Sequence, residues 1–179
     1  MELTQPEPPL QDEVVVLRAW EEADIPAIVA ACHDPETARW TTIPVPYGVD
    51  DARAWLTRCE TAWAEGAAPF GVVDRDSGDV AAAITLWVHG KVGELGYWAA
   101  PAYRGRGYVP RAVNLICEWG FGELELPRLQ LTTFPGNSSS ERVAEKCGFS
   151  REGVLRSWLE QRGERRDVTM WSRLPGDPA

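Results

Sequence analysis

A glycine-bearing turn is the segment whose residue types and spacing point most clearly to chemistry. It reads Arg104-Gly105-Arg106-Gly107-Tyr108-Val109 and follows a strand-like segment that is stopped by Pro101. Apolar residues at 109, 112, 113, 116, 117 and 120 recur at helical spacing and predict a helix directly after the turn. The first N–H groups of a helix have no partner inside it, and glycines let the backbone approach a ligand closely. The turn therefore predicts an anion site, most simply for a pyrophosphate; a plain strand-to-helix connection is the alternative.

Metal and thiol chemistry are not favoured by the sequence. The four cysteines are far apart and form no Cys-x-x-Cys pair, and there are two histidines, so no spacing typical of metal ligands occurs. We interpret the cysteines as buried free thiols in a reducing compartment rather than as a disulfide framework. They are Cys32, Cys59, Cys117 and Cys147. We therefore expect neither a metal cofactor nor a cysteine nucleophile.

Charge and hydropathy limit the kinds of partner. The chain has 27 acidic and 18 basic residues, and its formal net charge of −9 would repel a phosphate backbone and suits cationic acceptors better. No apolar run approaches the roughly 20 residues that a membrane span needs. The first residues, up to Glu7, have neither the basic start nor the apolar stretch of a secretory signal. We expect a cytoplasmic monomer or homodimer that binds neither nucleic acid nor membrane.

The chain has the length of a single domain, with 179 residues in which helix and strand patterns are mixed. We predict a flexible tail over 1–12, one domain over 13–174 and a short tail over 175–179. Strands are predicted at 13–20, 70–74, 80–88, 92–99 and 128–133, with a hairpin near Trp158. A helix capped by Asp24 should run to about His33, a second should be capped by Asp50, and a loop over 39–48 should connect them.

Two blocks of the sequence resemble the GNAT superfamily of N-acetyltransferases. The turn at 104–109 resembles the Arg/Gln-x-x-Gly-x-Gly/Ala loop with which that family binds pyrophosphate. The second block, Asn137-Ser138-Ser139-Ser140-Glu141-Arg142-Val143-Ala144-Glu145-Lys146-Cys147-Gly148-Phe149, resembles the signature of its RimJ/RimL-like branch, which acetylates the amino termini of ribosomal proteins. The similarity runs from Val16 to Val168. The sequence departs from the family pattern at Val109 and Pro110, where the family usually has a small residue and then a helix former. Proline is nevertheless tolerated in the first turn of a helix.

The resemblance implies an α/β (α+β) fold with a GNAT-like mixed, mostly antiparallel sheet of six to seven strands, flanked by about four helices. The sheet should splay apart between the strands at 92–99 and 128–133, where the pantetheine arm of acetyl-CoA, the implied cosubstrate, would pair with backbone groups of Trp98 and Ala100. Asn137, at the start of the next helix, would contact the same arm. An ordinary helix cap is its alternative role. The implied CoA-binding residues are Trp98, Ala99, Ala100, Arg104, Gly105, Arg106, Gly107, Tyr108, Val109 and Asn137.

Acyl transfer to an amine needs a neutral amine, a polarised thioester carbonyl and a proton for the departing sulfur. Glu94 is the carboxylate best placed to take the amine's proton, directly or through water, because it lies near the start of the strand that enters the slot. An ion-paired or solvated strand residue is the alternative. Ser140 matches the serine that RimL-like members use near the sulfur, with a polar residue in a first helical turn as its alternative. The next candidates for the proton donor are Tyr97, Tyr103 and Tyr108.

The acceptor pocket should lie between the loop over 39–47 and the hairpin near Trp158, since these are parts that the family varies. The candidate substrate-binding residues are Trp40, Tyr47 and Trp158, with core or rim positions as the alternative for each. An α-amine, with a pKa of about 7.7–8.0, is far more often neutral at pH 7 than a lysine, with a pKa of about 10.4, so a weak base suffices for it.

The sequence thus predicts an enzyme, an N-acetyltransferase that moves the acetyl group of acetyl-CoA to a primary amine by direct transfer in a ternary complex. The acceptor would be the amino terminus of a protein or a small-molecule amine. Two other functions stay open. One is transfer of a larger acyl group, such as succinyl, from its CoA thioester, and the other is regulation by a module that binds CoA without turnover.

Overall fold

A seven-stranded sheet forms the centre of the computed structural model, which describes residues 2–178. The strands are β1 Val15–Arg18, β2 Ala67–Asp74, β3 Val80–His89, β4 Val92–Ala99, β5 Arg128–Thr133, β6 Ser150–Gln161 and β7 Glu164–Arg173. They lie in the order β1-β2-β3-β4-β5-β7-β6. Neighbouring strands are antiparallel except β4 and β5, which are parallel. The predicted mixed, mostly antiparallel sheet is confirmed.

Five α-helices accompany the sheet in the described part of the chain. They are α1 Ile25–His33, α2 Pro35–Trp40, α3 Val49–Ala62, α4 Tyr108–Gly122 and α5 Ser138–Lys146, with short 3-10 turns at Glu22–Asp24 and Pro101–Tyr103. The apolar stripe of α4 packs on the sheet, with Ala112, Val113 and Ile116 at 0% exposure. This packing fixes the position of the glycine turn that precedes α4. Among residues 2–178, no helix combines the length and the apolar composition that crossing a bilayer requires.

Two apolar clusters lie on opposite faces of the sheet. The larger cluster includes Phe70 of β2 and the buried stripe of α4. The smaller cluster joins α1, α3 and the loop between α2 and α3, and includes Ile28 and Tyr47. Trp20 packs against this smaller cluster and covers Gly71, which follows Phe70 in β2 and therefore faces the other way. The helices α1 and α3 are thus on the sheet face opposite α4.

The predicted cap position is correct for α1 and wrong for α3. Asp24 occupies the N-cap position of α1, but its side chain makes no capping hydrogen bond. Its carboxylate instead accepts hydrogen bonds from the Arg18 guanidinium at 2.8 and 2.9 Å and from the Glu21 N–H at 2.9 Å. A charged bidentate donor is a stronger partner than a helix N–H group. Asp50 lies inside the first turn of α3, whose cap is Gly48.

The helix α2 was not predicted, because it is only six residues long and carries no apolar stripe. Asp34 caps it by accepting a hydrogen bond from the Thr37 N–H at 3.0 Å, and Pro35 occupies its first position. The predicted loop over 39–48 therefore begins only after Trp40.

The amino-terminal segment, predicted to be a flexible tail, contacts the domain at two places. The side chain of Leu3 is in the larger cluster, and its N–H donates to the Trp63 carbonyl at 2.8 Å. Asp12 and Glu13 pair with Arg111 of α4 at 2.7 and 2.6 Å. The sequence could not reveal these contacts, because they depend on how α3 and α4 pack. The domain limits at 13 and 174 stay a prediction.

Candidate active site

The strands β4 and β5 separate partway along their length. Their paired positions run from Val92 opposite Arg128 to Leu95 opposite Leu131. Beyond these pairs, β4 continues to Ala99 and β5 to Thr133, so a slot opens between the two strands. Backbone groups on a separated strand edge can pair with an extended ligand. The splay expected between these two strands is therefore present.

The backbone groups that face the slot are those of Tyr97 and Ala99. The N–H of Ala100 donates to the Ala81 carbonyl at 2.9 Å, on the β3 side of β4. The N–H and C=O groups of successive strand residues point to opposite sides, so those of Trp98 also point towards β3. The backbone groups of Trp98 and Ala100, predicted to line the slot, thus face β3 instead. The sequence does not reveal which alternate residues of β4 bond to β3.

Two left-handed glycines shape the turn before α4. Gly105 has φ of 72° and Gly107 has φ of 89°, a region that side-chain-bearing residues rarely adopt. A Cβ at either position would meet nothing within 4 Å, so open space lies beside the backbone. Gly107 caps α4, and its carbonyl accepts from the Arg111 N–H at 3.2 Å. Pro110 precedes that first helical hydrogen bond, so its missing N–H removes none, and the departure at Pro110 leaves the helix start intact.

Three side chains of the turn make contacts with other parts of the protein. Arg104 contacts Asp34 and donates to Thr37 Oγ1 at 2.7 Å, and its guanidinium holds the pKa of Asp34 below the usual value. Tyr108 donates to Asp74, and this hydrogen bond lowers the pKa of Asp74 to about 2. Val109 is buried. A ligand at the turn would therefore meet the backbone of these residues rather than their side chains.

Arg106 is an exposed basic residue of the turn that contacts two aromatic rings. Its guanidinium carbon lies 5.3 Å from the ring centre of Tyr103 and 5.7 Å from that of Tyr108. Cation–π contacts of this kind hold a guanidinium over an aromatic ring without neutralising its charge. Arg106 therefore keeps a positive charge beside the open space at Gly105 and Gly107.

Ser140 lies in the first turn of α5, next to the slot. Asn137 caps this helix, because its Oδ1 accepts a hydrogen bond from the Ser140 N–H at 3.2 Å. Asn137 thus has the helix-cap role that was its alternative. This role does not exclude a second contact between Asn137 and a ligand. Ser140 Oγ is 2.7 Å from the phenolic oxygen of Tyr97 in β4. Burial raises the pKa of Tyr97, so its hydroxyl stays protonated.

Glu94 and Ser140, the two predicted catalytic residues, are not neighbours. Glu94 and Tyr97 are three positions apart in β4, so their side chains lie on opposite faces of the sheet, and about 10 Å of strand separates them. Ser140 is on the Tyr97 side. Glu94 Oε2 accepts a hydrogen bond from Gln130 Nε2 at 3.2 Å, where β4 and β5 are still paired. Glu94 is therefore not in direct contact with Ser140.

Trp87 is an aromatic residue beside Glu94 that the sequence did not reveal. It lies opposite Glu94 in β3 and is 39% exposed, although both neighbouring strands are paired. Its ring occupies the space above Gly96, where a Cβ would come within 2.8 Å of it. A tryptophan in a central strand predicts burial, so the pattern gave no signal of this exposed position.

The two elements predicted to form the acceptor pocket contact each other. Gln161, at the end of β6, donates from Nε2 to the Arg39 carbonyl at 3.0 Å and to the Thr41 carbonyl at 2.8 Å. These carbonyls end α2, so the side chain of Gln161 satisfies groups that a helix leaves free. Trp40 is half-buried and donates to Glu36 at 2.8 Å within the same helix.

The other two candidate acceptor residues have different environments. Trp158 is 55% exposed and lies in an irregular part of β6, between the paired positions of Leu155 and Leu159. Tyr47 is 7% exposed in the smaller cluster, and burial raises its pKa to about 12. Tyr47 is therefore a core residue, which was the alternative to substrate binding, whereas Trp158 is accessible to a ligand.

A cleft of about 520 Å³ lies between α3 and the segment after β1. Trp20 and Trp63 line it, and the Trp20 ring centre is 6.1 Å from that of Trp98. The described residues that line this cleft include none of those predicted for CoA binding or catalysis. We therefore do not include the cleft in the candidate site.

Comparison with known proteins assigns the chain to a family. The family described as acetyltransferase (GNAT) domain matches residues 15–150. This chain is a GNAT acetyltransferase. The N-acetyltransferase YoaA of Bacillus subtilis is 25% identical over 169 residues, which are 92% of this chain and 96% of the relative.

Solved structures of similar fold include an acetyltransferase named for a ribosomal protein and a RimJ protein. The ribosomal-protein-S5-alanine acetyltransferase of Vibrio fischeri has a TM-score of 0.77 and 22% identity, over 94% of this chain and 97% of that one. RimJ of Mycobacterium smegmatis, in complex with CoA-disulfide, has a TM-score of 0.79 and 22% identity, over 90% and 82% of the chains. The resemblance to the GNAT superfamily is confirmed, and the structural neighbours of the same fold include RimJ/RimL-type acetyltransferases.

The GNAT assignment makes the protein an enzyme of acyl-CoA-dependent acetyl transfer. The RimJ structure shows CoA bound to a neighbour of the same fold. Within residues 2–178, no group of three or more His, Cys, Asp and Glu side chains could hold a metal ion.

Proposed function

We propose that the protein moves the acetyl group of acetyl-CoA to a primary amine by direct transfer in a ternary complex. The acceptor is the amino terminus of a protein or a small-molecule amine. The observation that carries the proposal is the slot between β4 and β5, which has the glycine turn beyond the end of β4 and Ser140 beside it. One extended thioester needs these features together: a cradle for its pyrophosphate, a strand edge for its pantetheine arm and a polar group at its sulfur.

The turn fits a pyrophosphate for three reasons. The positive φ values of Gly105 and Gly107 expose backbone N–H groups, and the space beside both residues is open. The start of α4 adds the favourable end of the helix dipole. Arg106 adds an exposed positive charge.

The chemistry of the proposal requires one N–H proton to end on sulfur. The amine nitrogen bonds to the acyl carbon, the carbon–sulfur bond breaks with its electron pair on sulfur, and the nitrogen loses a proton while the thiolate gains one. Glu94 accepts the amine's proton through water, because it lies about 10 Å along β4 from the slot residue Tyr97. Backbone N–H groups at the slot edge polarise the thioester carbonyl, and Ser140 donates a hydrogen bond to the departing sulfur.

An α-amine suits this arrangement best. A carboxylate that acts through water is a weak base, and an amine with a pKa of about 7.7–8.0 is roughly a tenth neutral at pH 7. The net charge of −9 favours a cationic acceptor. We also propose that the protein is a cytoplasmic monomer or homodimer that has no nucleic-acid partner.

Ligand binding and turnover test the proposal separately. Acetyl-CoA and CoA should raise the melting temperature, since a ligand that binds only the folded state adds about 2.7 kcal/mol at a hundred times its Kd. Thiol release should then depend on an amine, measured over free-amino peptides, their N-acetylated counterparts as matched controls, polyamines and aminoglycosides. No thermal shift at millimolar ligand contradicts CoA binding at the slot. A shift without amine-dependent thiol release, with acetyl-CoA or succinyl-CoA, indicates a binding module instead.

A further inference from the structure

Tyr97 connects the two sides of the slot through its side chain. Its phenolic oxygen is 2.7 Å from Ser140 Oγ and 3.4 Å from the Ser140 carbonyl oxygen, although 43 positions separate the residues. Its backbone N–H and C=O groups face the slot, because these groups alternate in direction along β4 and those of Ala100 point towards β3. Tyr97 therefore borders the slot with its main chain while its hydroxyl contacts the residue proposed to act on sulfur.

The direction of this hydrogen bond follows from the acidity of the two hydroxyls. A phenol has a pKa of about 10 and is a far stronger acid than an alcohol, so Tyr97 is the preferred donor and Ser140 Oγ the acceptor. The separation of 2.7 Å is ordinary for an O–H···O bond. Burial raises the pKa of the phenol, so the donor keeps its proton throughout the working range of pH. The hydrogen of Ser140 is then left for another acceptor.

We propose that Tyr97 is a positioning residue for acyl transfer: by donating to Ser140 Oγ, it directs the serine hydrogen towards the departing sulfur. This inference rests on the proposed function. As the carbon–sulfur bond breaks, the electron pair stays on sulfur, and the hydrogen bond from Ser140 stabilises that charge. The proton that sulfur finally takes is the one lost by the amine nitrogen, so neither hydroxyl is consumed.

A double-mutant cycle tests the positioning role. We expect Tyr97→Phe to lower kcat about tenfold while the KM values for acetyl-CoA and amine change less than about twofold, since one oriented hydrogen bond in the transition state is lost. Ser140→Ala should lower kcat at least as much. In the Ser140→Ala background, Tyr97→Phe should have no further effect, because no Oγ remains to be oriented. An equal fall in both backgrounds, or none in either, overturns the inference.

Two measurements separate this role from loss of structure. Tyr97→Phe should keep the thermal shift with CoA, because phenylalanine retains the buried ring. Ser172→Ala is the matched control: it also removes a hydroxyl hydrogen bond of 2.7 Å, to Glu152, at a buried residue to which no role in the site is assigned, and it should keep kcat within about twofold. A similar loss in this control contradicts a specific role for Tyr97. If the wild-type protein acetylates no amine, the proposed function fails; if it does and the cycle is additive, only the role of Tyr97 fails.

Discussion

At the scale of single residues, the candidate site divides its polar groups between the two faces of the sheet. Tyr97 and Ser140 are together on the α4 and α5 side, whereas Glu94 lies on the other face with Gln130 and Trp87. In the function that we propose, an amine approaches the slot from one face of the sheet and the thioester from the other. Base and sulfur partner can therefore act independently, and their variants should respond differently to pH.

The Glu94→Gln and Ser140→Ala variants test this division. Glu94→Gln should depress turnover more at low pH than at high pH, because an amine that is already neutral needs no base. Ser140→Ala should depress turnover at every pH, since the sulfur needs its hydrogen bond whatever the protonation state of the amine. General acid–base assistance is typically worth roughly 10²–10⁴-fold, so kcat/KM profiles over pH should resolve both effects.

The control for these variants is Ser139→Ala, which alters the neighbouring exposed hydroxyl in the same turn of α5. It should retain the wild-type pH profile. Losses well below tenfold for both Glu94→Gln and Ser140→Ala would leave orientation and carbonyl polarisation as the sources of catalysis, and both assignments would then be withdrawn.

At the scale of elements, the sequence was most informative where local chemistry decides structure. The bounds of β4 and β5 were predicted to the residue, and the glycine turn with a helix directly after it was also predicted. Hydrophobic periodicity and left-handed glycines are properties of neighbouring residues, so they can be recognised without a fold. The helix α2 and the backbone alternation at Trp98 and Ala100 depend on distant partners, such as Gln161 and Ala81, and could not be predicted in the same way.

The glycine turn is the element whose role is easiest to isolate. Gly107→Glu should abolish the thermal shift with CoA, because it places a carboxylate in the open space where we propose that the pyrophosphate binds. Gly107→Ala is the matched control, since it brings the same backbone strain at a φ of 89° without the charge. Weaker binding in Gly107→Ala than in Gly107→Glu, or normal binding in both, would show that the ligand does not lie at this turn.

At the scale of the whole molecule, the amino-terminal segment connects elements that are far apart in the sequence. Leu3 binds near the end of α3 through Trp63, and Asp12 and Glu13 bind the start of α4 through Arg111. Proline and acidic residues in this segment favoured a flexible tail, because composition reports the average behaviour of a segment. Leu3 is buried, however, and the sequence alone does not distinguish a buried leucine from an exposed one.

Leu3→Ala tests whether this connection contributes to stability. Leu3 is 3% exposed in the larger cluster, so its truncation should lower the free energy of unfolding by roughly 2–5 kcal/mol, measured by urea denaturation. The control is Leu174→Ala near the other end of the chain, where the side chain is 44% exposed and a change within about 0.5 kcal/mol is expected. The thermal shift with CoA should persist in both variants, because neither residue borders the slot or the glycine turn. Equal stability of the two variants would instead support the flexible tail over 1–12, since a mobile leucine contributes nothing to the folded state.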